Sequence, residues 1–257
     1  MSTLHFHRSN PKNHTKTNSL QRKQKGRKNA NLNRAIDLKS PPQTPADVEA
    51  AELLSERANT LSHGAGVLAS IIGGTFLIVK ASLTRDPWKI VSVSIFVATL
   101  ILLYSASTLY HATRRPHVKQ HLKVLDHASI YLLIAGSYTP FTLVGLRGGW
   151  GWSLFGTIWG LAIGGVIFKF FAAGRFKLIS TGIYVVMGWL VIIAIKPMIH
   201  VFDPAVLLWL LAGGLAYTGG TLFYHNHRLL YSHAVWHGFV ICGSVCHAVA
   251  VGLVINS

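Results

Sequence analysis

Acidic side chains are scarce in this chain: Asp and Glu together number eight among 257 residues. All charged types make up 12%, about half the ~25% usual for soluble domains. That scarcity disfavours an ordinary soluble fold. Cysteine is scarce too. Cys242 and Cys246, the two present, are spaced like one helical turn inside an apolar run, which excludes a disulfide framework and a paired-CxxC zinc module and makes them small core residues. The first 40 residues lack an apolar core, which excludes a cleavable secretory signal there.

What is abundant is apolar: 51% of residues are hydrophobic, in spite of the polar start. The net charge of +16 suggests nucleic acid at first sight, but ten of the 24 basic residues lie between Arg8 and Lys39, so most of it belongs to a tail and no specific nucleic-acid partner is expected. Residues 1–48 read as a disordered, basic, cytoplasmic tail ending in the Pro-rich stretch Ser40 to Pro45; an overextended start is the alternative. Residues 49–257 read as one transmembrane domain.

Seven runs free of Asp, Glu, Lys and Arg recur: Leu61 to Val79, Ile90 to Tyr110, Ala128 to Leu146, Gly148 to Phe168, Leu178 to Ile195, Ala205 to Tyr224, and Ala234 to Ser257. Each, at ~20 residues, is long enough to cross a bilayer as a helix. The fold class expected is therefore an all-α, multi-pass protein of seven transmembrane helices in the inner (plasma) membrane. Counting Lys and Arg puts nineteen on the side of the N-terminus and five on the other, so the N-terminus is cytoplasmic and the C-terminus is on the opposite side. Gly156, Gly160 and Gly164 form a small-residue stripe that lets another helix approach closely, within the molecule or, as the alternative, in a dimer; Pro140 should kink the third span, and Trp88, Trp150 and Trp152 mark an aromatic belt.

Ionisable groups inside spans are costly and mark function. Beyond residue 60 the acids are Asp86, Asp126 and Asp203. Two of them stand beside prolines in loops, and Asp126 stands alone at the start of the third span. Ser107 and His111 are four apart on the second span, His233 and His237 four apart on the seventh, and Glu56, Asn59 and His63 share a face of the first. All converge on the cytoplasmic leaflet. Two histidines at i and i+4 can chelate a metal from one helix, and His111 supplies the third ligand of a Zn2+ site whose fourth position is left to water. His63 reads as an interfacial hydrogen-bonder. His247, ten residues past His237, reads as a buried, hydrogen-bonded histidine too distant to share the metal. His127 should face away from Asp126. Glu56 is either a helix-start charge or part of a polar lock.

These residues resemble a known family. Glu56-x-x-Asn59-x-x-x-His63, Ser107-x-x-x-His111 with Asp126 fifteen residues on, and His233-x-x-x-His237 with His247 downstream are similar to the three motifs of the haemolysin III and progestin/adipoQ receptor family. The stretch Leu125 to Phe141 resembles its bacterial branch, whereas the basic tail departs from it. The resemblance implies zinc near the cytoplasmic leaflet on His111, His233 and His237, with Asp126 and Ser107 beside the metal's water. It also implies kinship to alkaline ceramidases, hence hydrolysis of an amphipathic lipid amide or ester or a part in membrane-lipid homeostasis, with Asp126 and Ser107 as catalytic residues. Two rivals stay open: a zinc-stabilised sensor without turnover, and a pore-forming cytolysin. Membrane lipids are the expected partners, and the sequence leaves oligomeric state undetermined.

Overall fold

The computed structural model describes residues 44–171, 176–226 and 229–256, and among them every element is helical. Seven helices are long and apolar enough to cross a membrane: α1 (Pro45–Leu83), α2 (Pro87–Ala112), α3 (Pro116–Gly145), α4 (Gly149–Phe171), α5 (Lys177–Val201), α6 (Pro204–Tyr224) and α7 (Ser232–Asn256). Internal contacts divide the chain after Leu54, and the bundle and site below are those of Ser55 onward.

The helix starts follow local chemistry. Thr44 and Asp47 form a reciprocal cap, the Asp47 amide donating to Thr44 Oγ1 (3.2 Å) and the Thr44 amide to Asp47 Oδ2 (3.1 Å), with Pro45 in the first turn. That cap corrects one expected boundary: Pro45 to Val48 are helical, and residues 1–43 of the expected tail lie outside the described residues. Asp86 caps α2 by accepting from the Trp88 amide at 2.8 Å, and Asp203 caps α6 by accepting from the Ala205 amide at 2.7 Å, each followed by proline. Two of the three acids beyond residue 60 are thus spent on helix starts. Asp126, inside α3, is not.

Two irregular turns shape the interior. Pro140 has no amide proton to give, and α3 widens after it into a π turn over Phe141–Gly145, closed by the Leu146 amide on the Phe141 carbonyl (2.9 Å). Opposite it, α5 tightens to a 3₁₀ turn over Leu190–Ala194. The Tyr138 hydroxyl reaches the carbonyls of Met187 and Gly188 (2.8 Å each) and accepts from the Val191 amide (2.9 Å), so one side chain satisfies the backbone groups that the break would orphan in lipid.

Between helices in a membrane, close packing replaces the hydrophobic drive. A Cβ at Gly66 would overlap the Tyr104 ring and one at Gly165 the Tyr131 ring, so these glycines let α1 meet α2 and α4 meet α3. The expected packing stripe does not do this: added Cβ atoms at Gly156, Gly160 and Gly164 meet nothing within 4 Å, because that face of α4 points outward. Cys246 is buried as expected, but Cys242 is exposed. Exposed Leu, Ile and Phe side chains clothe α4, α5 and α6, the surface expected against lipid. Away from the histidines, Trp88 and Trp152 meet edge to face (5.7 Å) and the Arg147 guanidinium lies over Trp88 (4.4 Å).

Candidate metal centre

Helix period puts Glu56, Asn59 and His63 on one face of α1 and carries Ser107 and His111 into the last turns of α2. The short connection to α7 then delivers His233 and His237 in its first turns. One ring nitrogen from each of His111, His233 and His237 lies within 4.8 Å of the others, a spacing at which three imidazoles can close on one ion.

Whether they fit a metal depends on which nitrogens are free. The Glu56 carboxylate, an acceptor when ionised, lies 2.6 Å from His111 Nδ1, so Nδ1 carries the proton and Nε2 the lone pair. Asn59 Nδ2, at 3.5 Å from the same nitrogen, is too far to compete. His111 Nε2 is buried without any partner, an orphan that a metal would satisfy. Ser62 treats His237 in the same way. Its hydroxyl donates to the Asn59 carbonyl (3.0 Å), and so it accepts from His237 Nδ1 (2.9 Å), leaving His237 Nε2 for ligation. Lys119 completes the outer network by donating to the other oxygen of Glu56 at 2.8 Å. Glu56 is therefore part of a polar lock rather than a helix-start charge.

Ser62 and Lys119 escape sequence reasoning. Ser62 lies off the Glu56–His63 face, and Lys119 reads there only as a topology charge.

His63 corrects its expected role. It is buried, yet neither nitrogen has a hydrogen bond; its ring stacks on His237 with centroids 3.4 Å apart and meets Tyr104 edge to face. The nearby hydroxyl that could have bonded it, on Tyr104, is given to Ser244 (2.8 Å). Asp126 lines the same cavity as the three histidines, with His111 and Ser107 among its neighbours, Ser107 hydrogen-bonding it, and only 14% of its side chain exposed. His127 does not face away: its Nδ1 is 3.7 Å from Asp126 and bonds the Lys123 carbonyl (2.7 Å), while Nε2 reaches the Tyr224 hydroxyl (3.3 Å). His247 is outside the cluster, against Tyr217.

The cluster ends a cavity of about 470 Å³ that runs past Ser107 and Asp126, between Leu133 and Tyr138, to Leu146 and Met198. That volume falls within the range of small-molecule sites, ~300–1,000 Å³.

A seven-helix membrane protein with a three-histidine centre at one end of an internal cavity is the class this geometry defines. Residues 51–248 match the family described as haemolysin-III related, and the chain belongs to that family, on the bacterial branch of the progestin/adipoQ receptor superfamily. It is 46% identical over 189 residues to a protein named Hemolysin-3 homolog from Bacillus subtilis (strain 168), covering 74% of this chain and 89% of that one. Hemolysin-3 of Bacillus cereus is 45% identical over 189 residues, 74% and 86% of the two chains. The human Monocyte to macrophage differentiation factor is 27% identical over 202 residues, 76% and 82% of the two chains.

Proposed function

We propose that this protein is a zinc-dependent membrane hydrolase that cleaves an amide or ester bond of an amphipathic lipid at the cytoplasmic leaflet of the plasma membrane. The observation that carries the reading is the pairing of three imidazoles, two of them with Nε2 freed by Glu56 and Ser62, with the Asp126 carboxylate, a second acid distinct from Glu56, on the wall of the same apolar cavity.

His111, His233 and His237 would hold the ion, and bound there zinc supplies Lewis acidity, polarising a carbonyl and bringing the pKa of a coordinated water toward ~7. The rest falls to the chain. Glu56 and Ser62 hold two of the imidazoles in the ligating tautomer. Asp126 accepts a proton at its carboxylate, a role suited to an acid that caps no helix, and Ser107 donates to Asp126 and keeps it aimed. The apolar walls take the acyl chain and exclude water from it.

The test is metal analysis of the detergent-purified protein followed by a screen of lipid amides and esters for fatty-acid release. About one zinc per chain and release that stops on chelation are expected. Zinc without turnover on any lipid would favour a metal that ties helices together in a sensor. Vesicle leakage without turnover would favour the cytolysis that the names of the Bacillus relatives carry.

A further inference from the structure

His247 takes no part in the metal centre, yet it lies on the wall of the same cavity, ten residues along α7 from His237, about 15 Å at 1.5 Å per residue. Its setting fixes its chemistry. Gly213 of α6 brings its backbone against the Cδ2–Nε2 edge of the ring, where any Cβ would overlap both atoms. The Leu210 carbonyl, one turn earlier on α6, accepts from the ring. A neutral imidazole that donates from Nε2 carries its lone pair on Nδ1, and His247 Nδ1 is buried with no partner. The hydroxyl of Tyr217, whose ring packs edge-on at 5.4 Å, is hydrogen-bonded with Ser244 at 2.8 Å and does not reach Nδ1. The cavity therefore carries, well away from the histidine cluster, a built acceptor that lacks a donor. Buried polar atoms of this kind are rare because they forfeit hydration without replacing it.

We propose that His247 Nδ1 recognises a hydroxyl on the chain of the lipid occupant, about 15 Å from the group held at the histidine cluster, so that the preferred ligand is a mid-chain hydroxylated long-chain lipid. This rests on the reading of the cavity as a lipid site. The hydroxyl donates to Nδ1 while the ring keeps Nε2 on the Leu210 carbonyl, so binding requires no change of tautomer.

The test uses the full-length, zinc-loaded protein in nanodiscs and two probes, stearate and a hydroxystearate with its hydroxyl mid-chain, in competition against a fluorescent fatty acid. The wild type should bind the hydroxylated chain roughly fivefold tighter, the factor that one net hydrogen bond supplies. His247→Leu should bind both probes alike while retaining zinc, and His247→Asn, which keeps an acceptor, should recover part of the preference. Should His247→Leu fail to fold, Gly213→Ala, which displaces the ring, should erase the preference with the histidine still present. Equal affinities in the wild type, as expected if a water is the only donor Nδ1 meets, would overturn the proposal, and so would a preference that survives His247→Leu. If neither probe binds the wild type, the lipid reading of the cavity fails first and takes this inference with it.

Discussion

Glu56 and His111, 55 residues apart on different helices, meet at 2.6 Å through Oε2 and Nδ1, and that contact decides which imidazole nitrogen keeps a lone pair for a metal. A metal-ligating histidine commonly gives its second N–H to such a carboxylate, and losing the partner costs about 10–100-fold in metal affinity. Glu56→Ala should therefore retain the fold but lower zinc affinity by about that factor, read by titration against a chelator. Unchanged affinity would mean that the carboxylate serves only Lys119.

The ligand set itself is tested by the pair on α7. His233→Ala with His237→Ala should leave His111 as the sole ligating imidazole and abolish stoichiometric zinc, measured by mass spectrometry of the purified protein. A double variant that still holds one zinc per chain places the ion elsewhere.

Asp126 separates turnover from scaffolding. Asp126→Asn should keep zinc and thermal stability while abolishing fatty-acid release, since a carboxamide cannot take up the proton. Ser107→Ala, which removes only the group that aims Asp126, should reduce release less. Wild-type turnover by Asp126→Asn would remove Asp126 from the chemistry.

Packing makes a prediction independent of the metal. Gly165→Ala drives a methyl into the buried Tyr131 ring and should cost about 1–3 kcal/mol, seen as a lower Tm. Gly160→Ala, five residues away and facing open space, should leave the monomer's Tm unchanged or slightly raised, because alanine is the better helix former. Equal losses in both would show that the outward stripe packs against something after all.

Truncation tests whether the tail belongs to the bundle. Deleting residues 1–43 should leave zinc content and the bundle intact while weakening attachment to anionic lipid, since basic residues near a membrane surface contribute about 1 kcal/mol each. Loss of the folded bundle on truncation would make the tail part of it.

The sequence by itself determined the seven spans, because only internally paired helices of about twenty apolar residues suit a bilayer. It also determined the three histidines of the candidate metal centre as one group, because i, i+4 spacing places side chains on one face and the positions of His111, His233 and His237 within their spans place them at one depth. Tertiary structure alone decided the rest. The proton positions on His111 and His237 depend on Glu56 and on Ser62, partners brought from α1, and no periodicity within one helix reports a contact between helices. His63 shares the face of Glu56 and Asn59 yet stacks instead of bonding, because Tyr104 gives its hydroxyl to Ser244. The glycine stripe was legible as a pattern, but its outward orientation was not. Which face of a helix is covered depends on where its neighbours settle, and in an apolar chain every face of α4 looks equally fit to be buried.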